Sequence, residues 1–277
     1  MKNRSVPQKS HRHRFALGLV VAILTTCGAP ALHAQTYSPV GTWDCVLSGG
    51  KVGTARITFN ADYTLDGIQI RYSRSSKGAD SNPRGGTDNR GETEETSSGS
   101  GTNLYGGAIL VGEWGYDSEN RVVGYIAEVS SGNTNEVSIQ GTARASSRLT
   151  LRGSAGGANF TIRGQPTDLG GLTDISGDYA ALGRHGEVPF TEFLQFDNVS
   201  NGEYDIEGTG PGYTLTGFAL LVRQNQLGMY LERTVGSNVV ITAVSGPIKI
   251  NANPRTANLK GTDEAGGVRY KLVRQVP

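Results

Sequence analysis

The chain writes one β-rich pattern twice, in the same order, and this repetition limits what it can fold into. Gly41-Thr42-Trp43 answers to Gly177-Asp178-Tyr179. Phe59, Tyr63, Leu65, Asp66 and Gly67 answer to Phe196, Tyr204, Ile206, Glu207 and Gly208. Gly124-Tyr125-Ile126-Ala127-Glu128 answers to Gly228-Met229-Tyr230-Leu231-Glu232, and Leu151-Arg152-Gly153 to Leu259-Lys260-Gly261. An ordered series of this kind marks a duplicated unit. Inside each copy apolar and polar residues alternate. Ile57 and Phe59 alternate with Arg56, Thr58 and Asn60, and Tyr204 and Ile206 with Glu203, Asp205 and Glu207. A period of two places apolar groups on one face of a half-buried antiparallel strand. Forty glycines supply turns, and no stretch keeps the helical spacing over three turns. Each copy reads as about seven or eight strands, the number that closes a small barrel.

The expected fold is therefore all-β, with two tandem small antiparallel meander barrels over residues 35–165 and 176–277. Residues 166–175 (PTDLGGLTDI) have the composition of a linker. The first copy carries an insertion over residues 73–107 that is almost free of apolar side chains before Leu104. Such a segment buries too little to offset its ordering entropy and is expected to be a disordered surface loop. Asp80, Asp88, Glu92, Glu94 and Glu95 within it lack the spacing and glycine of a calcium loop.

Lys2, Arg4, Lys9, Arg12 and Arg14 precede an apolar run from Phe15 to Leu24 and a small-residue region ending at Ala34. This order predicts a signal peptide over residues 1–34 and a secreted or periplasmic location. The run is too short to span a bilayer. Leu24-Thr25-Thr26-Cys27-Gly28 offers the competing reading of a lipid anchor at Cys27, with a threonine poorly suited to that motif before the cysteine. Removing the leader takes five of the 26 Lys and Arg and no acid, leaving 21 against 25 and a net charge near −4. No basic stripe runs through the sequence, so nucleic acid is not an expected partner. One cysteine, Cys45, and one histidine, His185, remain, which excludes an intrachain disulfide and a Cys/His metal site within one chain.

Gly41-Thr42-Trp43 at the head of a β-meander resembles the Gly-x-Trp signature of the calycin superfamily of lipocalin, fatty-acid-binding and avidin-like barrels. The following NADYTLDG is most similar to the avidin branch, with Cys45 and Gly49 standing where that pattern has an asparagine and a serine. The resemblance covers about 30 residues. It implies a barrel base closed by Trp43 against a basic residue of the last strand, where Arg163 and Arg274 lie. Strand parity puts Arg274 on the face of Tyr270 and Leu272, and Arg163 opposite Phe160 and Ile162. It also implies non-covalent binding of a small apolar or aromatic ligand in a barrel calyx.

Trp43, Tyr63, Tyr72, Trp114 and Tyr125 are the residues expected to line that calyx, with no catalytic residue, metal ligand or cofactor assigned. Parity groups Val123, Tyr125, Ala127 and Val129 on one face, which turns Glu128, like Glu232, outward. His185, between Gly183 and Gly186, reads as an exposed turn residue, and Cys45 as a small buried hydrophobe. Two other classes compete with ligand binding. One is an envelope or extracellular interaction module with solid barrels. The other is a barrel isomerase, cyclase or hydrolase, which needs an inward acid.

Overall fold

The computed structural model describes residues 37–73, 106–130, 133–144, 147–167, 171–263 and 266–275. The expected signal peptide, the lipid anchor and most of the expected insertion lie outside these residues. The first copy contains β1 (Gly41–Gly49), β2 (Lys51–Phe59), β3 (Thr64–Ser73), β4 (Gly106–Tyr116), β5 (Val122–Ser130), β6 (Asn133–Arg144), β7 (Arg148–Ala155) and β8 (Ala158–Pro166). The second contains β9 (Gly177–His185), β10 (Val188–Ser200), β11 (Glu203–Gly210), β12 (Tyr213–Val222), β13 (Gln226–Val235), β14 (Asn238–Lys249), β15 (Thr256–Asp263) and β16 (Gly266–Arg274).

Each set of eight closes on itself in sequence order, giving two antiparallel meander barrels in tandem, as the repeat predicts. β1 pairs with both β2 and β8, and β9 with both β10 and β16. Closure leaves no unpaired edge, so the backbone groups find partners around the ring. Inward positions are filled with the chain's own side chains. Leu47, Ile57, Phe59, Leu110, Val137, Leu149 and Phe160 belong to the first core, and Phe196, Ile206, Met229, Leu231, Leu259 and Leu272 to the second. Each fully buried side chain of this size contributes roughly 1.5–3 kcal/mol.

The two barrels close their bases in the same way. Trp43 donates its indole N–H to the carbonyl of Pro39 at 2.6 Å, and Tyr179 donates its hydroxyl to the carbonyl of Ile175 at 2.8 Å. In both, an aromatic side chain ties down the backbone four residues earlier. Gly41 and Gly177, two residues before each ring, have φ of +125° and +123°, a conformation in which a Cβ is strained. Arg274 pairs with Tyr179 across β16 and β9 and lies against Gly177, so the second base has its basic partner. Arg163 is exposed on the outside of β8, on the face that parity gave it.

The barrels pack against each other within the unit Thr36–Pro277. The outer faces of β2 and β3 meet those of β12, β13 and β14, burying Ile70, Leu220, Val222, Tyr230 and Ala243. An ionic belt flanks this contact. Arg56 donates to Asp44 at 2.9 Å, to Glu203 at 3.1 Å and to the carbonyls of Asn201 and Leu221. The expected linker also takes part. Ile175 is buried, its N–H donates to the Tyr204 hydroxyl, and Thr173 and Gly171 bond the Gln224 side chain.

Candidate functional site: the charged barrel mouths

Opposite its tryptophan-closed base, the first barrel ends in a buried cluster of charge. Lys51 stands at the head of β2, in step with the inward residues Gly53, Ala55, Ile57 and Phe59. Arg71 lies near the end of β3, in step with Leu65, and faces Gly53 across the sheet. Glu128 lies near the end of β5 in step with Val122 and Ile126, and is 1 % exposed. The Lys51 ammonium donates to both Glu128 oxygens at 2.9 Å, and Arg71 Nη2 approaches Oε2 at 2.7 Å. The Phe160 ring lies 5.0 Å from the ammonium. Burial holds the Lys51 pKa below its ordinary value, with Glu128 pulling the other way.

This arrangement places two cations around one carboxylate and leaves donors over. Arg71 Nε and Nη1, and Gln69 Nε2 one inward step deeper on β3, are buried without a hydrogen-bond partner. Buried donors in native proteins are nearly always satisfied by protein, water or ligand. Beside them is a cavity of about 150 Å³ lined by Lys51, Arg71, Thr134, Asn135, Glu136, Ala155 and Gly156. Chemically it is a donor-rich recess at the rim of a barrel, in which Lys51 and Arg71 are balanced in charge by Glu128 and Glu136.

The corresponding end of the second barrel reverses the charge. Gly112 faces Ile126 across β4 and β5 as Gly217 faces Leu231 across β12 and β13, so Glu128 corresponds to Arg233 and not to Glu232, with which the sequence repeat matches it. Arg233 Nη2 donates to His185 Nε2 at 2.6 Å and to Glu192 at 3.3 Å, and Tyr213 donates its hydroxyl to Glu192 at 2.7 Å. Because Nε2 accepts, His185 Nδ1 carries the proton and donates it to Asp263 at 2.6 Å. Phe190 stacks on the imidazole at 4.4 Å. Burial and the neighbouring Glu192 carboxylate push the Tyr213 hydroxyl up to about 12, and burial pushes Tyr270 well above its ordinary range. These side chains fill their end of the barrel as a polar plug.

Several sequence expectations change here. Glu128 points inward, because β5 is apolar on both faces and pairing with β4, not parity, selects Val122, Gly124 and Ile126 as the inner row. Glu232 faces outward as expected and accepts from the Tyr230 hydroxyl at 2.6 Å. His185 is built into the plug and is not an exposed turn residue. Cys45 is buried, and desolvation pushes its thiol far up.

The five expected calyx residues do not meet in one cavity. Trp43 and Trp114 are core residues at the base, and Trp114 spends its indole N–H on the Asn60 carbonyl. Tyr63 sits in the β2–β3 turn with φ of +69°, exposed, its ring 5.2 Å from that of Trp114. Tyr72 is partly buried against the inter-barrel contact. Tyr125 is 75 % exposed on the outside of β5. Lys51 and Arg71 were missed although parity reports them, since each lies an even number of residues from an inward apolar side chain. Among the described residues no group of three or more His, Cys, Asp or Glu could hold a metal ion. No helix among them is long and apolar enough to cross a membrane.

No protein-family model and no curated protein matches this chain. Among solved structures, a protein of unknown function of the DUF3598 family from Nostoc punctiforme aligns at 9 % identity. The alignment covers 86 % of this chain and 96 % of that one with a TM-score of 0.24, too low to carry an argument.

Proposed function

We propose that this is an exported, calycin-like binding protein whose first barrel holds a small organic anion at its mouth. The observation that carries the reading is the pair of Arg71 donors without a partner among the described residues, on a side chain that lines a cavity together with Lys51, with Gln69 Nε2 likewise unpartnered deeper in the barrel. Glu128 takes Nη2, so Arg71 keeps Nε and Nη1 as separate charged donors, and a charge-assisted hydrogen bond from either suits a carboxylate. At about 30 Å³ per water molecule, the recess has room for roughly five waters or a short carboxylic acid. The apolar calyx suggested by the resemblance is less well supported, because the barrel's middle is occupied by Leu47, Ile57, Leu110, Ile126 and Leu151. The two tied-down base aromatics support the calycin-like part of the reading.

The enzyme reading asked for an inward acid, and Glu128 and Glu192 are inward. Both Glu128 oxygens are engaged by Lys51 and Arg71, which suits the carboxylate to positioning those cations and not to exchanging protons with a substrate. A solid interaction module has its own support in the exposed row Ile109, Val111, Tyr125 and Val129 on the outside of β4 and β5. Calorimetric titration with a series of acids from formate to succinate tests the binding reading. One of them should bind with one-to-one stoichiometry, and Arg71→Met should weaken it at least tenfold while Glu128 keeps Lys51. Truncating a buried charged contact typically costs 2–5 kcal/mol of affinity, about 1.4 kcal/mol per tenfold. No heat with any acid, or equal affinity in Arg71→Met, would remove the reading in favour of the interaction module.

A further inference from the structure

A second group of cations gathers elsewhere on the molecule. A cleft of about 430 Å³ opens where the two barrels meet, lined by Val46, Ser48, Arg163, Gln165, Arg223, Asn225 and Gln226. Its polar lining consists of two guanidinium groups, three amides and one hydroxyl, with no carboxylate. Arg163 comes from the outside of β8 and Arg223 from the turn between β12 and β13, so the two cations reach the cleft from different barrels. The turn is locked in place. Arg223 and Gln224 both have left-handed φ, +55° and +61°, which non-glycine residues hold only under constraint. The constraint comes from the first barrel: Arg223 N donates to Asp44 Oδ2 and its Nε to the Asp44 carbonyl, both at 3.3 Å. Arg223 Nη2 donates to the Arg163 carbonyl.

More positive charge surrounds the cleft than its lining shows. Arg148 and Arg163 act on Arg223 electrostatically, though less strongly than the Asp44 carboxylate bonded to its backbone. Arg144 pairs with Arg148 across β6 and β7, and Arg163 with Thr150 across β7 and β8. Arg144, Arg148 and Arg163 are exposed, and none forms an ion pair among the described residues. The expected mature chain is net acidic, so this concentration is local and owes nothing to a global excess of base. It is built by folding, from four positions scattered between residues 144 and 223. Arg223 spends Nε and Nη2 on carbonyls and keeps Nη1, while Arg163 brings a second guanidinium, and several charged N–H donors around one point suit a tetrahedral, multiply charged oxyanion.

We infer that the inter-barrel cleft binds a phosphate group, clasped between Arg163 and Arg223, on a ligand larger than phosphate alone. The cleft's volume leaves space beyond one tetrahedral anion, and Ser48, Gln165 and Asn225 supply neutral hydrogen bonds for the remainder. The phosphate can arrive on a soluble molecule or on a lipid headgroup, and the test separates the two. The whole chain is titrated calorimetrically with inorganic pyrophosphate, and in parallel floated with vesicles of phosphatidylcholine with and without phosphatidic acid. Arg163→Gln and Arg223→Gln are each compared with Arg152→Gln, a control on the same barrel outside the cleft. Arg163 makes no side-chain contact that the fold needs, and equal melting temperatures for wild type and Arg163→Gln verify this. The expected result is pyrophosphate binding reduced at least tenfold by Arg163→Gln and Arg223→Gln and unchanged by Arg152→Gln. Flotation restricted to phosphatidic acid vesicles and lost in the same two variants identifies a lipid source; pyrophosphate binding without flotation identifies a soluble one. Absence of both, or an equal loss in Arg152→Gln, overturns the site. Because the cleft shares no lining residue with the recess beside Arg71, this outcome is independent of the carboxylate site at the first mouth.

Discussion

At the scale of single residues, the feature that most needs a physical account is charge placed inside two barrels. Taking ions out of water costs several kcal/mol each, and Lys51, Arg71 and Glu128 recover this only as a set. Glu128→Gln should therefore destabilise the fold by about 3–5 kcal/mol in urea titration, because it strands two buried cations. Arg71→Met breaks one buried ion pair but also removes two unpartnered donors and leaves Glu128 paired with Lys51, so it should cost less than Glu128→Gln. The second barrel carries a different titratable load. Tyr179, Tyr204, Tyr213 and Tyr270 all have hydroxyls pushed above the ordinary value, by burial first and with the Glu192 carboxylate adding at the last two. In the unfolded chain they release protons near pH 10. Between there and about 12, the value for Tyr213, the folded state holds protons that the unfolded state has lost. Stability is then fully present below pH 10 and falls as pH rises through this window. Urea midpoints measured across pH 8–12, paired with the ultraviolet absorbance of phenolate, should show that fall together with late-titrating tyrosines. Cys45 gives a simpler check: its desolvated thiol should react with an aromatic disulfide reagent only as fast as the protein unfolds.

At the scale of the strand, the sequence was informative where one face was polar and uninformative where both were apolar. β2 alternates strictly around Ile57 and Phe59, and its inward row follows down to Lys51. β5 reads VVGYIAEVS, apolar on both faces, so a one-residue choice exchanged Tyr125 for Glu128. Tertiary pairing decides between them, and that pairing depends on Gly112 opposite Ile126, which no local pattern in β5 contains. The base aromatics were legible for the same reason that β2 was, because their glycines and rings recur at equal spacing in both copies. The plug was not legible. His185, Glu192, Arg233 and Asp263 come from four strands and meet only when the ring closes. Close approach at the paired glycines can be tested directly. A Cβ at position 217 would stand 2.0 Å from the Tyr230 carbonyl oxygen, so Gly217→Ala must push β12 away from β13. A loss of about 1–3 kcal/mol in denaturant midpoint is expected.

At the scale of the whole molecule, two tandem barrels share a hydrophobic contact and carry different charged clusters at their mouths. Leu220, Val222, Tyr230 and Ala243 are buried against the first barrel, so residues 176–277 expressed alone should give an all-β circular dichroism spectrum yet self-associate in sedimentation. A soluble monomeric second barrel would show that the inter-barrel contact is dispensable. The mouths have diverged more than the bases. Glu128 in one and Arg233 in the other occupy the same position with opposite charge, and the mouth of the first barrel has space beside unpartnered donors. That space is where the account places function. The most direct measurement is an electron-density map of the full chain crystallised after purification from its own host without added carboxylate. The expected result is density for a small planar anion within hydrogen-bond distance of one of the Arg71 N–H groups that Glu128 leaves free, Nε or Nη1; density for separate water molecules alone, or an Arg71 side chain turned away from the recess, would contradict this placement.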